Sequence, residues 1–162
     1  MKKNNTLKKV ARGIGFYTLS LMLLDRVLPK HDHMYDIGDY VVHINEHTMR
    51  GNNMIAETRT RFGNDVYVAT GGLFELFPED VRKCILAHEV GHLVLEGGMP
   101  EDMTTYALTR IVGLCPKAER VADSMSVALY GKKATLKMLC SLFAITLSPE
   151  SLIRMANVLL SK

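Results

Sequence analysis

The chain has 162 residues, 48 % of them hydrophobic and 23 % charged, and a net charge of +3. This length suits one domain over residues 1–162 with a sizeable core, and this composition excludes a disordered chain. Much of the positive excess sits in Lys2, Lys3, Lys8, Lys9 and Arg12, a basic arm rather than the broad basic face that nucleic acid demands, so no nucleic-acid partner is expected.

After the arm, residues 6–28 carry apolar residues at helical spacing and stop at Pro29, which predicts an N-terminal helix. Its most apolar part, "GIGFYTLSLMLL" (13–24), falls short of the roughly 20 residues of a spanning helix. Asp25 and Arg26 come next, where a signal peptide would place a small-residue cleavage site. We expect a packed helix; the basic flank and amphipathic character leave contact between residues 1–28 and a membrane surface open. His31 and His33, in "KHDHMYD", read as loop histidines.

"DYVVHI" (39–44) reads as a strand, and "MIAETRTRF" (54–62) turns through Gly63–Asp65 into "VYVAT" (66–70), a β-hairpin pattern. The stretch "HINEH" (43–47) matches the inverted zinc motif H-x-x-E-H letter for letter. Extended backbone, however, sets His43 and His47 roughly 13 Å apart, too far to share one ion. No catalytic metal is expected there.

Gly71 and Gly72 end the sheet region, and the rest reads as helical. Pro78, Glu79 and Asp80 open a helix that runs through Leu95 to Gly97 and Gly98. Further helices are predicted at about 101–113, 117–130, 132–147 and 149–160, with Pro116 and Gly131 as punctuation. The expected class is α+β: an N-terminal helix, a small antiparallel sheet with an edge strand above the long helix, then a helical bundle. Cys84, Cys115 and Cys140 sit in apolar helical contexts with no CxxC pair, which predicts buried free thiols in a reducing, cytoplasmic setting.

The chemistry is concentrated in "HEVGH" (88–92). On a helix His88 and His92 lie one turn apart on one face and can grip one ion together. Glu89, beside the first of them, can take a proton from metal-bound water as it attacks a carbonyl. Catalytic zinc wants three protein ligands and an open position. "AERVADSMSVALYG" (118–131) offers Glu119 as the third, and Asp123, one turn on, can accept a hydrogen bond from a ligand imidazole and fix its tautomer. Gly91 costs helix propensity but leaves room for another chain to approach.

Together, HEVGH and ERVAD resemble the gluzincin arrangement HExxH…ExxAD. The run "VYVATGGLFELFPEDVRKCILAHEVGH" (66–92) is similar to the segment before the zinc helix in the HtpX and CAAX-prenyl-protease family of zinc metallopeptidases, and "SMSVALYG" resembles that family's helix after ExxAD. The resemblance spans about residues 65–140. It implies a zincin-like fold, Zn2+ bound by His88, His92 and Glu119, Glu89 as catalytic base, Asp123 as the orienting residue, and hydrolysis of peptide bonds. It also makes Val66, Tyr67, Val68 and Ala69 the candidate edge strand for an extended protein or peptide substrate. This chain departs from the family in being far shorter and in lacking its long hydrophobic spans. It also offers no clear oxyanion-stabilising residue among Tyr106, Tyr130 and Arg154. Three other readings stay open: a regulatory protease of the ImmA/IrrE type, a non-catalytic binding module pinned by zinc, and a membrane-peripheral protein working through residues 1–28.

Overall fold

A computed structural model describes residues 17, 19, 20, 23, 33–44, 55–94 and 117–161, with the side chains of residues 59 and 60 left aside. Of the expected N-terminal helix, Tyr17, Leu19, Ser20 and Leu23 are helical, and the Tyr17 hydroxyl donates to the Ala144 carbonyl at 3.2 Å. The remainder of that helix, the helix expected at 101–113, and His31, His47, Leu95, Gly97, Gly98, Tyr106 and Cys115 lie outside the described residues.

Four strands form one sheet: β1 (Met34–Ile37), β2 (Tyr40–Ile44), β3 (Ala56–Phe62) and β4 (Asp65–Thr70), in the order β1-β2-β4-β3. Strand β1 is not expected from the sequence; with only four residues, MYDI, it carries too little alternation to register, and it pairs with β2 as a hairpin across Gly38 and Asp39. The β3–β4 hairpin forms as its sequence predicts, with Phe62 opposite Asp65. The expectation of an antiparallel sheet is corrected, because β2 and β4 run parallel, Val42 beside Val66 and Ile44 beside Val68. The sheet is mixed.

That order also corrects the edge strand. Val66, Tyr67, Val68 and Ala69 belong to β4, which lies between β2 and β3; Val66, Tyr67 and Val68 are paired on both sides, and Ala69 pairs with Glu57 of β3, so β4 is a central strand among the described residues. The sequence held the signal: β4 has no charge from Val66 to Thr70 and is largely buried, as central strands are, whereas β3 carries Glu57, Arg59 and Arg61. Among the described residues, the edges are β1 and β3.

A 3-10 turn (Gly72–Leu76) buries Leu73 and Phe74 and leads into α1 (Glu79–Val94). Pro78 stands just ahead of α1, its carbonyl accepting from the Val81 and Arg82 amides at 3.0 Å, and Glu79 and Asp80 face the positive helix end. One face of α1 meets the sheet through residues such as Val81 and Ile85, packed with Val42, Val66 and Val68 in one apolar cluster. Burying each such side chain contributes on the order of 2 kcal/mol.

Helix α2 (Lys117–Thr146) crosses α1 and is interrupted at Gly131, whose φ of 80° and ψ of 162° are non-helical. This is the boundary that the sequence places between its two predicted helices, and glycine is the residue that adopts such a φ without a Cβ clash. Helix α3 (Pro149–Leu160), with Pro149 in its first turn, folds back on α2 through Ser151, Arg154 and Val158. The class is α+β. Cys84 is buried, and its burial pushes the thiol up to about 11, while Cys140 is exposed and lies 3.4 Å from the Met155 sulfur, against the expectation that it would be buried. Among the described residues, no helix is long and apolar enough to cross a membrane.

Candidate metal centre

Helix α1 supplies two imidazoles because its apolar residues fix its rotation: with Val81, Ile85 and Leu86 in the core, His88 and His92 turn together toward α2. Helix α2 supplies two carboxylates at the same spacing, Glu119 and Asp123. What lets the four meet is Gly91. A Cβ built on it would stand 2.8 Å from Ala122 Cα and 3.0 Å from the Ala122 carbonyl oxygen, so the two helices touch backbone to backbone there.

Three side chains converge in this contact. His88 Nε2 lies 3.1 Å from His92 Nε2 and 3.2 Å from Glu119 Oε2, and His92 Nε2 lies 3.8 Å from Glu119 Oε1. Zinc with bonds of roughly 2.0–2.2 Å in tetrahedral array holds its ligand atoms about 3.3–3.5 Å apart. The three donors therefore fit one small divalent cation, and among the described residues no other His, Cys, Asp or Glu group is so arranged.

His88 is set for this role from behind. Its Nδ1 lies 3.0 Å from Asp123 Oδ1 and 3.1 Å from Arg154 Nη2; the Asp123 carboxylate favours a proton on Nδ1, and Nε2 is the nitrogen that faces Glu119 and His92. Asp123 is itself held by Arg154, whose Nε donates to Oδ2 at 2.9 Å and whose Nη2 donates to Oδ1 at 2.6 Å. Arg154 Nη1 also lies 3.0 Å from Glu119 Oε2. His88, Glu119, Asp123 and Arg154 are buried, whereas the His92 side chain keeps 24 % exposure, so solvent reaches the centre from its side.

Charge explains why the cluster wants a further cation. Two buried carboxylates against one guanidinium leave one negative charge unmatched. In the metal-free protein a proton on His88 meets it. Burial and the Arg154 charge push that imidazole down, but its hydrogen bonds to Asp123 and Glu119 outweigh them and hold it up at about 9. Burial alone would raise the Glu119 carboxyl; the His88 hydrogen bond and the charges of His88, Arg154 and His92 hold it well below the usual range instead. Asp123 is lowered in the same way, its burial overcome by His88 and Arg154. A divalent cation at the same position would replace the proton and meet the same carboxylates.

Glu89, next to His88 on α1, reaches strand β3. Its Oε2 accepts from the Thr58 main-chain N–H at 2.9 Å and from the Thr58 hydroxyl at 2.6 Å, across the gap between α1 and β3. The strand beside the candidate base is thus β3, not β4 as the sequence suggests.

The remaining candidates sit elsewhere. His43 is spent on the sheet surface, its Nε2 2.7 Å from Asp65 Oδ1 and its ring stacked 4.8 Å from Tyr67, so the described part of HINEH binds its own strand neighbours. His33 meets Tyr35 edge-on at 6.3 Å. Tyr130 lies with Glu79, Lys83 and Cys84 beside the start of α1, away from the imidazoles. Arg154 is committed to the centre's own groups: it braces the two carboxylates, and its Nη2 lies 3.1 and 3.4 Å from the two ring nitrogens of His88. Sequence reasoning misses that bracing, although its signal is present: Ser151, Arg154 and Val158 form the buried stripe of α3, and an arginine on such a stripe needs buried anions. Thr58 carries no local signal.

No family model matches the chain, and no curated protein or solved structure matches it.

Proposed function

We propose that this chain is a zinc-dependent endopeptidase of the gluzincin type, resembling the HtpX and CAAX-prenyl-protease family, with a zincin-like fold. The observation that carries this reading is the convergence of His88 Nε2, His92 Nε2 and the Glu119 carboxylate to within one cation's coordination sphere, with Glu89 next to the first ligand. Among the described residues that set has three members, the number that leaves a fourth position for solvent or substrate in a catalytic site. A closed structural site would need a fourth protein ligand, which disfavours the binding-module reading.

A zinc ion held there supplies Lewis acidity, polarising a carbonyl and bringing the acidity of water near neutral pH. The protein does the rest. His88, His92 and Glu119 hold the ion, and Asp123 keeps His88 in the ligating tautomer. Glu89 takes the proton of the attacking water and delivers it to the amine that leaves as the C–N bond breaks, so the carboxylate ends each turnover as it began. The substrate is an extended peptide laid along β3, whose outer side has no strand neighbour among the described residues.

Zinc-loaded wild type, Glu89→Gln and Glu119→Ala, assayed with an unfolded protein such as casein and a peptide library, test the proposal. Wild type is expected to cleave. Glu89→Gln is expected to keep its zinc and lose cleavage, and Glu119→Ala to lose both. Undiminished cleavage by Glu89→Gln would refute the role of that carboxylate. Cleavage confined to a folded DNA-binding repressor, with casein untouched, would favour the ImmA/IrrE-type reading.

A further inference from the structure

We infer that Thr58 is the positioning residue of this site: it locks the catalytic base to the strand along which the substrate lies. The inference rests on the hydrolase reading above and concerns how that site is set. Strand β3 lies at the sheet edge, and its pairing with β4 slips between Thr58 and Thr60, where a bulge leaves the ladder irregular. Bulges of this kind re-aim the groups around them. Here the Thr58 main-chain N–H is aimed at Glu89 Oε2, 2.9 Å away, and the Thr58 hydroxyl reaches the same oxygen at 2.6 Å and the Glu89 carbonyl at 3.0 Å. A hydroxyl has one proton to give, and the shorter contact assigns it to the carboxylate.

Two charge-assisted donors on one oxygen fix the carboxylate far better than a helix surface alone would hold a glutamate. With Oε2 committed to the strand, Oε1 is the oxygen left for proton transfer. The base, helix α1 and the peptide rail then move as one unit. A peptide registered on β3 is thereby registered against Glu89, which is how a general base gains its advantage from orientation.

Thr58→Val keeps the shape and the main-chain donor but removes the hydroxyl, and Thr58→Ser restores it. With zinc loaded, Thr58→Val is expected to lose kcat on the order of tenfold or more while KM and zinc content stay within about twofold, and Thr58→Ser to recover most of the loss. A kcat for Thr58→Val equal to wild type, or a loss that serine fails to recover, would overturn the role.

Amide exchange of the metal-free protein supplies a readout free of turnover. The Thr58 N–H is expected to exchange slowly in wild type and on the order of a hundredfold faster in Glu89→Ala, with other β3 amides unchanged. Equal rates would show that the contact does not hold the base. If wild type cleaves nothing, the hydrolase reading fails and the positioning role fails with it, while the exchange rates still report whether Thr58 grips Glu89.

Discussion

Arg154 grips both carboxylate oxygens of Asp123, at 2.9 and 2.6 Å, and the oxygen it approaches more closely is the one that faces His88 Nδ1. A helix outside the candidate donor set thus braces the carboxylate that orients His88. Breaking this chain at its far end should be felt at the near end. Arg154→Met leaves Asp123 and Glu119 buried with one cation fewer, and is expected to cost about 3–5 kcal/mol in urea unfolding of the metal-free protein. Asp123→Asn is expected to weaken zinc binding about 10- to 100-fold in competition with a chelator. An Arg154→Met variant as stable as wild type would show that the network bears no weight.

The proton on His88 makes metal-free stability and metal affinity move in opposite directions with pH. In the folded, metal-free protein this imidazole is held up at about 9, against 6.5 for an ordinary histidine. Because the folded value is the higher, the stabilisation is complete below about pH 6.5 and is lost as pH rises toward 9. Zinc must displace that proton, so its apparent affinity should climb across the same window and level off above it. Unfolding and zinc titrations from about pH 6 to about pH 10 check both slopes; parallel slopes would contradict the assignment.

Gly91 predicts an unusual cost for adding a methyl group. In Gly91→Ala the new Cβ meets Ala122 Cα at 2.8 Å, so α1 and α2 must part. Overpacking of this kind costs typically about 1–3 kcal/mol. Because the imidazoles and Glu119 stand on opposite sides of the contact, zinc affinity should fall along with the melting temperature. Adding Ala122→Gly should not rescue it, since the obstruction is backbone. Rescue by that second change would show that the clash is with a side chain that can give way.

Helix α1 is legible in the sequence almost to the residue, because Pro78, two acidic residues and a periodic apolar face are local signals that nothing distant overrides. The break at Gly131 and the start of α3 at Pro149 are legible for the same reason. The candidate donors follow from helical spacing once two helices are placed: His88, His92 and Glu119 come together, with Asp123 against His88, as their sequence spacing suggests. Sheet order is harder. Which strand lies beside which is a choice between distant segments, and the proximity of VYVAT to α1 in sequence suggests an edge where the structure has a centre. Thr58 is invisible on its own, since its meaning comes from a glutamate 31 positions away.

The most direct test is X-ray absorption at the zinc edge, on wild type and on Glu119→Ala. Wild type should bind one zinc with two imidazole nitrogens at about 2.0 Å, a carboxylate oxygen and an exchangeable solvent oxygen, and Glu119→Ala should lose the carboxylate and most of the affinity. Tight binding with an identical spectrum in both proteins, or a sphere closed by a fourth protein ligand, would contradict it.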